Sequence, residues 1–155
     1  MQTSMTLVYP INGNRILLGL KKLRIGAGTY VGFGGRVGPG ETIKEAAIRE
    51  LQEESGLAAQ IDDLHCRGIL IIHNPRYSAK LGVLKIHIFT ITSWEGEPHS
   101  TEEMDPCYFE KNSLPWDKMR ESEHYWLPAV LNGRIVNAEI VYDKKESLIS
   151  FKLSF

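Results

Sequence analysis

Glu50, Glu53 and Glu54 stand at i, i+3 and i+4. A helix through them, turning about 100° per residue, gathers all three carboxylates within an arc of roughly 100° on one face. Like charges so placed repel one another unless a cation sits among them. Hard divalent ions suit the set, because they prefer oxygen ligands and accept carboxylates together with water and phosphate oxygens. Mg2+ is the expected ion, with Mn2+ able to replace it. Bound cations could also supply the positive charge that a small anionic ligand needs. Three glutamates on a helix are, by themselves, more often a solvated charged face.

Their setting changes that balance. Gly35 is followed after five residues by Glu41, and Glu41 after seven by Arg49-Glu50-Leu51-Gln52-Glu53-Glu54-Ser55-Gly56-Leu57. About nine specified positions at fixed spacing form a far more specific signal than a lone glycine motif.

The elements that must position these residues are legible around them. Thr42 with Glu45 fits a capping box, Ala46 to Leu51 are mostly strong helix formers and Gly56 is a natural stop, so a helix is predicted from about Glu41 to Ser55. Ala47, Ile48 and Leu51 occupy the neighbouring arc and should bury against a sheet, fixing the direction of the acids. Gly26 to Gly40 carries seven of the fourteen glycines, which predicts loop and short strand. Thr6 to Pro10 and Arg15 to Leu20 flank Asn12-Gly13-Asn14 and read as a β-hairpin. Cys66 to His73 and Val83 to Thr92 read as strands joined by a surface loop, Asn74 to Gly82. Between Ser113 and Leu131 the pattern predicts a helical turn and then a helix with Pro128 near a kink. Val136 to Tyr142 and Leu148 to Leu153 alternate around Asp143 to Ser147, giving a terminal hairpin. Mixed strands with helices packed on them predict an α/β sandwich.

At 155 residues the chain is the size of one domain, spanning 1–155, able to bury about two-thirds of its unfolded surface. Apolar residues make up 43% and charged residues 24%, the balance of a globular protein. No apolar run approaches the roughly 20 residues of a membrane span. The first ten residues lack the pattern of a secretory signal, so a cytoplasmic location is expected. A formal charge of −1 offers no footprint for a nucleic acid polymer; a small anionic ligand is the expected partner, bound by a monomer or weak dimer. Cys66 and Cys107 suggest neither a disulfide nor a zinc site and are expected to be buried or partly buried thiols. The five histidines form no site by spacing: His87 falls inside a strand, and His65, His73, His99 and His124 are expected in loops or at the surface.

The pattern from Gly35 to Leu57 is identified as a Nudix box, and the chain resembles the Nudix hydrolases. The likeness continues through Leu17 to Lys22, Gly26-Ala27-Gly28, Gly32-Phe33-Gly34-Gly35, Glu102-Glu103-Met104 with Pro106, and Tyr125-Trp126-Leu127-Pro128. There it is similar to the MutT-type oxidised-purine nucleoside triphosphatases over roughly residues 6 to 131. The resemblance implies a Nudix-type α/β/α sandwich with a mixed β-sheet and terminal hairpin, and hydrolysis of a nucleoside triphosphate of the 8-oxo-dGTP type to the monophosphate and pyrophosphate. It implies metal binding and catalysis by Glu50, Glu53 and Glu54, a carbonyl from Gly35, a further carboxylate from Glu103, and orientation of the carboxylates by Arg49. Glu41 would brace the loop. Thr6, Val31, Gly34, Gly35, Met104 and Trp126 would lie against the substrate, Lys21 near its phosphates, and Glu123 would read the base, since one carboxylate can accept from both N1–H and the exocyclic amine of guanine. Which glutamate is the base stays open. This sequence departs from the relatives at Val31 in place of an asparagine, at Ser122 in place of one of an acidic pair, and at Arg120, Ile25 and Ile72 in place of aromatics. An insertion also lengthens the Asn74 to Gly82 loop. Another diphosphate substrate, or a non-catalytic binding module, is the competing expectation.

Overall fold

The computed structural model describes residues 2–24, 26–75, 83–145 and 147–154; Ile25 and the 76–82 part of the lengthened loop lie outside them. Among the described residues the elements run β1 (Gln2–Asn12), β2 (Arg15–Lys21), β3 (Tyr30–Val31), α1 (Ile43–Ser55), β4 (Leu64–His73), β5 (Val83–Ile91), β6 (Met104–Glu110), α2 (Glu123–Leu131), β7 (Val136–Tyr142) and β8 (Leu148–Ser154). Short 3-10 turns stand at Ile61–Asp63 and Trp116–Lys118.

The strands form a mixed sheet in the order β3-β2-β1-β5-β4-β7-β8, with β6 added on β2. The predicted first hairpin exists only at its tip. β1 and β2 pair at Ile11 with Ile16 and Asn12 with Arg15, and then part. β1 continues in parallel with β5 from Gln2 to Pro10, while β2 runs antiparallel to β6 over all its residues, from Arg15 opposite Glu110 to Lys21 opposite Met104. The edge of β1 that a full hairpin would have covered is taken by the glycine-rich segment. Thr6 N–H donates to the Gly35 carbonyl at 2.9 Å, Val8 N–H to Phe33 at 2.6 Å, Phe33 N–H back to Val8 at 3.0 Å, and Val37 N–H to Ser4 at 3.1 Å. Backbone groups inside a protein must find partners, and these bonds pin the loop along β1.

Alternation along the strands divides the apolar residues between two layers. Val8, Leu17, Phe33 and Phe89 join Ala47, Leu51 and Leu57 under α1. Tyr9, Ile16, Leu18 and Ile88 join Trp126, Leu127, Val130 and Leu131 under α2. Each large apolar side chain buried in this way contributes about 1.5–3 kcal/mol. The result is the expected α/β/α sandwich, closed by the expected β7-β8 hairpin.

Other expectations are corrected. β6 carries none of the β-branched residues that announce a strand, and includes Pro106; its pairing with β2 alone lets it tolerate a residue without an N–H. Both cysteines are exposed rather than buried, Cys107 on that edge strand and Cys66 beside the β4 bulge before Gly68. Pro128 lies within α2. His65 and His73 belong to β4 and His124 to α2, although all three keep surface positions.

Candidate active site

The acidic helix begins as a capping box: the Thr42 hydroxyl accepts from Glu45 N–H at 3.1 Å, and Thr42 N–H donates to the Glu45 carboxylate at 2.8 Å. It ends at Gly56, whose φ of 84° is the left-handed conformation that glycine adopts without strain. Ala47 and Leu51 press into the core, and Ile48 packs at its margin. With the helix fixed at both ends and along one side, Glu50 and Glu54 point at the pinned loop. Gly34 N–H donates to Glu54 Oε1 at 2.8 Å. The Glu50 carboxyl lies so close to Gly35 that a Cβ there would stand 2.6 Å from its Cδ, and a Cβ on Gly34 would stand 1.8 Å from the Thr6 carbonyl oxygen. A side chain at Gly34 would therefore meet backbone, and one at Gly35 would displace the Glu50 carboxyl.

Arg49 ties the box together. Its Nε and Nη2 donate to the two Glu41 oxygens, both at 2.7 Å, a bidentate pair. Nη1 donates to Glu50 Oε1 at 2.9 Å and reaches Glu53 Oε2 at 3.2 Å, and Nη2 also reaches the Arg36 carbonyl at 3.1 Å. Glu41 in turn accepts Gly38 N–H at 2.7 Å. The Arg49 bonds, then the Gly38 bond, hold the Glu41 carboxyl down at about 2. Glu41 therefore braces the loop and anchors Arg49.

The remaining carboxylates are frustrated. Burial, the charge of Glu50 and a hydrogen bond with Glu103 push Glu54 up to about 8, against the opposing pull of Gly34 N–H. Burial likewise raises Glu50, with Arg49 pulling the other way. Glu103 is brought there by long-range bonds: Lys22 N–H donates to its carbonyl at 2.9 Å. The Thr101 hydroxyl links the same segment to the end of α1 through the Glu54 carbonyl at 3.1 Å. Among the described residues no three acidic, histidine or cysteine side chains already converge as a ligand set; Glu50 and Glu53 are both bonded to Arg49. Half-buried and buried carboxyls whose charges oppose one another are nevertheless what a divalent cation relieves. The donor set fits such an ion.

These carboxylates form one wall of a cleft of about 590 Å³, and α2 forms another. Leu70, Ile72, Leu84 and Ile86 supply an apolar surface from β4 and β5. Glu123 and Trp126 line it from α2, each almost fully buried. Burial pushes Glu123 up to about 8, with Arg120 the opposing influence. Ser122 hydrogen-bonds the Tyr142 hydroxyl, so the serine is engaged with β7 and leaves Glu123 as the acidic group on that wall. Lys21 stands between the two ends, its ammonium lowered by burial and then by the charge of Arg120, while Glu54 and Glu103 pull it back up.

The NUDIX domain profile matches residues 1–130. The chain belongs to the Nudix family. It is 36% identical over 149 residues to an oxidized purine nucleoside triphosphate hydrolase of Danio rerio, covering 96% of this chain and 92% of that protein. It is 34% identical over 148 residues to the Mus musculus protein of the same name, with the same coverage. A mutator MutT protein from Bacillus halodurans shares the fold with a TM-score of 0.84 at 23% identity, over 98% of this chain and 97% of that one. Nudix hydrolases use divalent metal ions, in keeping with the frustrated carboxylates.

In this Nudix chain the fold brings Thr6, Lys21, Val31, Gly34, Gly35, Glu50, Glu53, Glu54, Glu103, Met104, Glu123 and Trp126 to one cleft. Arg49 stands behind it, holding its carboxylates. Two positions differ in character from the expectation. The Gly35 carbonyl already accepts Thr6 N–H at 2.9 Å and the Thr6 hydroxyl at 3.4 Å, so a metal would compete with the hydroxyl for its second lone pair. Glu53 is the outward member of the triad, its side chain 57% exposed, whereas Glu54 is buried. Sequence reading had not placed Arg24, Tyr142, Leu70 and Leu84 at this cleft. They come from four different segments, and none carries a local motif.

Proposed function

We propose that this single-domain Nudix enzyme hydrolyses nucleoside triphosphates carrying an oxidised purine, of the 8-oxo-dGTP type, to the monophosphate and pyrophosphate. The observation that carries this reading is one cleft with two ends: frustrated carboxylates at one, and an apolar wall bearing a single buried acid at the other. A phosphate chain suits the first and a purine the second. The names of the curated relatives favour the same substrate class.

Glu50, Glu53, Glu54 and Glu103, with the Gly35 carbonyl, would hold Mg2+, with Mn2+ able to replace it. The bound ions supply charge neutralisation for the phosphate oxygens and the leaving pyrophosphate. Arg49 keeps Glu50 and Glu53 oriented, and Gly34 N–H keeps Glu54 facing the loop. Glu53, open to solvent and bonded to Arg49, can take a proton from the attacking water as an alternative to ligating an ion. Lys21 lies where it can approach the phosphates. Trp126 and Met104 shape the base end while Glu123 reads the base edge.

The reading is tested by comparing kcat/KM for 8-oxo-dGTP, 2-hydroxy-dATP, dGTP and ADP-ribose with magnesium. Preferential hydrolysis of the oxidised nucleotides, abolished in a folded Glu53→Gln variant, is expected. Equal or absent turnover of them would move the substrate to another diphosphate, and full activity in Glu53→Gln would remove the site assignment.

A further inference from the structure

β2 ends on Lys21, and a second lysine, Lys22, follows it. Lys21 lines the cleft. Lys22 turns instead to the segment 99–103, where its ammonium donates to Ser100 Oγ and to the Thr101 carbonyl, both at 2.7 Å, and stands 3.7 Å from Asp105 Oδ1. An ammonium carries three donors, and these three acceptors match them. The Lys22 backbone adds a further tie, its N–H donating to the Glu103 carbonyl at 2.9 Å.

The same segment closes the end of α1. The last carbonyls of a helix have no partner within it; here His99 N–H donates to the Ser55 carbonyl at 3.0 Å and the Thr101 hydroxyl to the Glu54 carbonyl at 3.1 Å. The His99 ring lies directly on Gly56, where a Cβ would stand 2.2 Å from Nε2. Thr101 also folds the segment back on itself, because its N–H donates to the Met104 carbonyl at 2.9 Å and its hydroxyl accepts Met104 N–H at 3.2 Å. Glu102 and Glu103 are left at the tip of that turn. From there the Glu103 side chain hydrogen-bonds Glu54 and lines the cleft.

A carboxylate on an exposed turn loses conformational freedom when an ion captures it, unless the turn is already fixed. We propose that Lys22 and Thr101 are positioning residues for the cation site: by clamping residues 99–103 to β2 and to the end of α1, they hold the Glu103 carboxyl beside Glu54 before an ion arrives. The inference rests on the cluster of Glu50, Glu54 and Glu103 being that site. Exposed ties of this kind contribute little to global stability, so their removal should be felt at the site and not in the fold. Outer partners of a ligand set change metal affinity by about 10–100-fold.

The test is Mn2+ titrated into the intact, substrate-free protein, with the free ion counted by electron paramagnetic resonance. Lys22→Met keeps the aliphatic stem and loses the ammonium; Thr101→Val keeps the shape and loses the hydroxyl. Each is expected to weaken Mn2+ binding about ten-fold with an unchanged far-ultraviolet circular dichroism spectrum. In a Glu103→Gln background, Lys22→Met should have no further effect. Unchanged affinity in either variant, or a loss that persists undiminished in the Glu103→Gln background, overturns the proposal. An unaltered protein that binds no Mn2+, or binds it no better than Glu54→Gln does, overturns the metal-site reading and the proposal with it, a result distinct from an intact site that is indifferent to Lys22.

Discussion

Arg49 is the residue on which the charged half of the site depends, because a single planar guanidinium serves Glu41, Glu50 and Glu53 at once. Lysine keeps the charge but has no fork. Arg49→Lys is therefore expected to lower kcat/KM about 100-fold while leaving the far-ultraviolet circular dichroism spectrum unchanged; a loss of under a few-fold would mean that the fork is not needed. At the other end, Glu123 links function to stability. Its carboxyl titrates near 4.5 when exposed and is pushed up to about 8 by burial. Below that window the folded and unfolded chains both hold the proton, and within it only the folded chain does. Raising the pH thus stabilises the unfolded chain relative to the folded one. Denaturant melts should lose stability from pH 4.5 to about 8. Glu123→Gln should flatten the decline by on the order of 2 kcal/mol, and a parallel decline in both proteins would place its origin elsewhere.

The loop from Phe33 to Val37 and helix α1 form the working element, and two adjacent glycines in it serve different ends. A Cβ at Gly34 meets backbone, the Thr6 carbonyl at 1.8 Å, which cannot move without unzipping the loop from β1. A Cβ at Gly35 meets the Glu50 carboxyl at 2.6 Å, the end of a side chain that can swing aside. Gly34→Ala should therefore cost about 2–4 kcal/mol of stability. Gly35→Ala should cost under about 1 kcal/mol yet lose about 100-fold in activity through displacement of Glu50. Thermal melts and kinetics on the pair distinguish the two; equal destabilisation would refute the division.

Across the whole molecule, the parting of β1 from β2 after two residue pairs opens the space in which loop and cleft sit. Metal binding should report on the integrity of that assembly. Glu54 must shed the proton that burial and its acidic neighbours hold to about 8 before it can serve as a ligand, so affinity should increase with pH. At saturating magnesium the melting temperature is expected to rise by roughly 5–10 °C at about pH 8, and by less at about pH 6. A shift independent of pH would mean that the ion binds without displacing a proton from the cluster.

The sequence by itself determined the acidic helix, its caps, the box from Gly35 to Leu57 and the class of reaction, because all of these rest on contacts within about two dozen residues whose geometry one helix and one tight loop dictate. The terminal hairpin and the two central strands were legible for the same reason, through alternation. The tertiary structure alone decided that β1 and β2 diverge, that β6, with no β-branched residue and a proline, is a strand, and that both thiols are exposed. It also decided which glutamate is buried. Glu54 and Glu53 are chemically identical neighbours on one helix, and burial, the Gly34 amide and the approach of Glu103 from the segment just before β6 make one of them frustrated while the other stays open to solvent. Burial and long-range pairing depend on what arrives from distant segments.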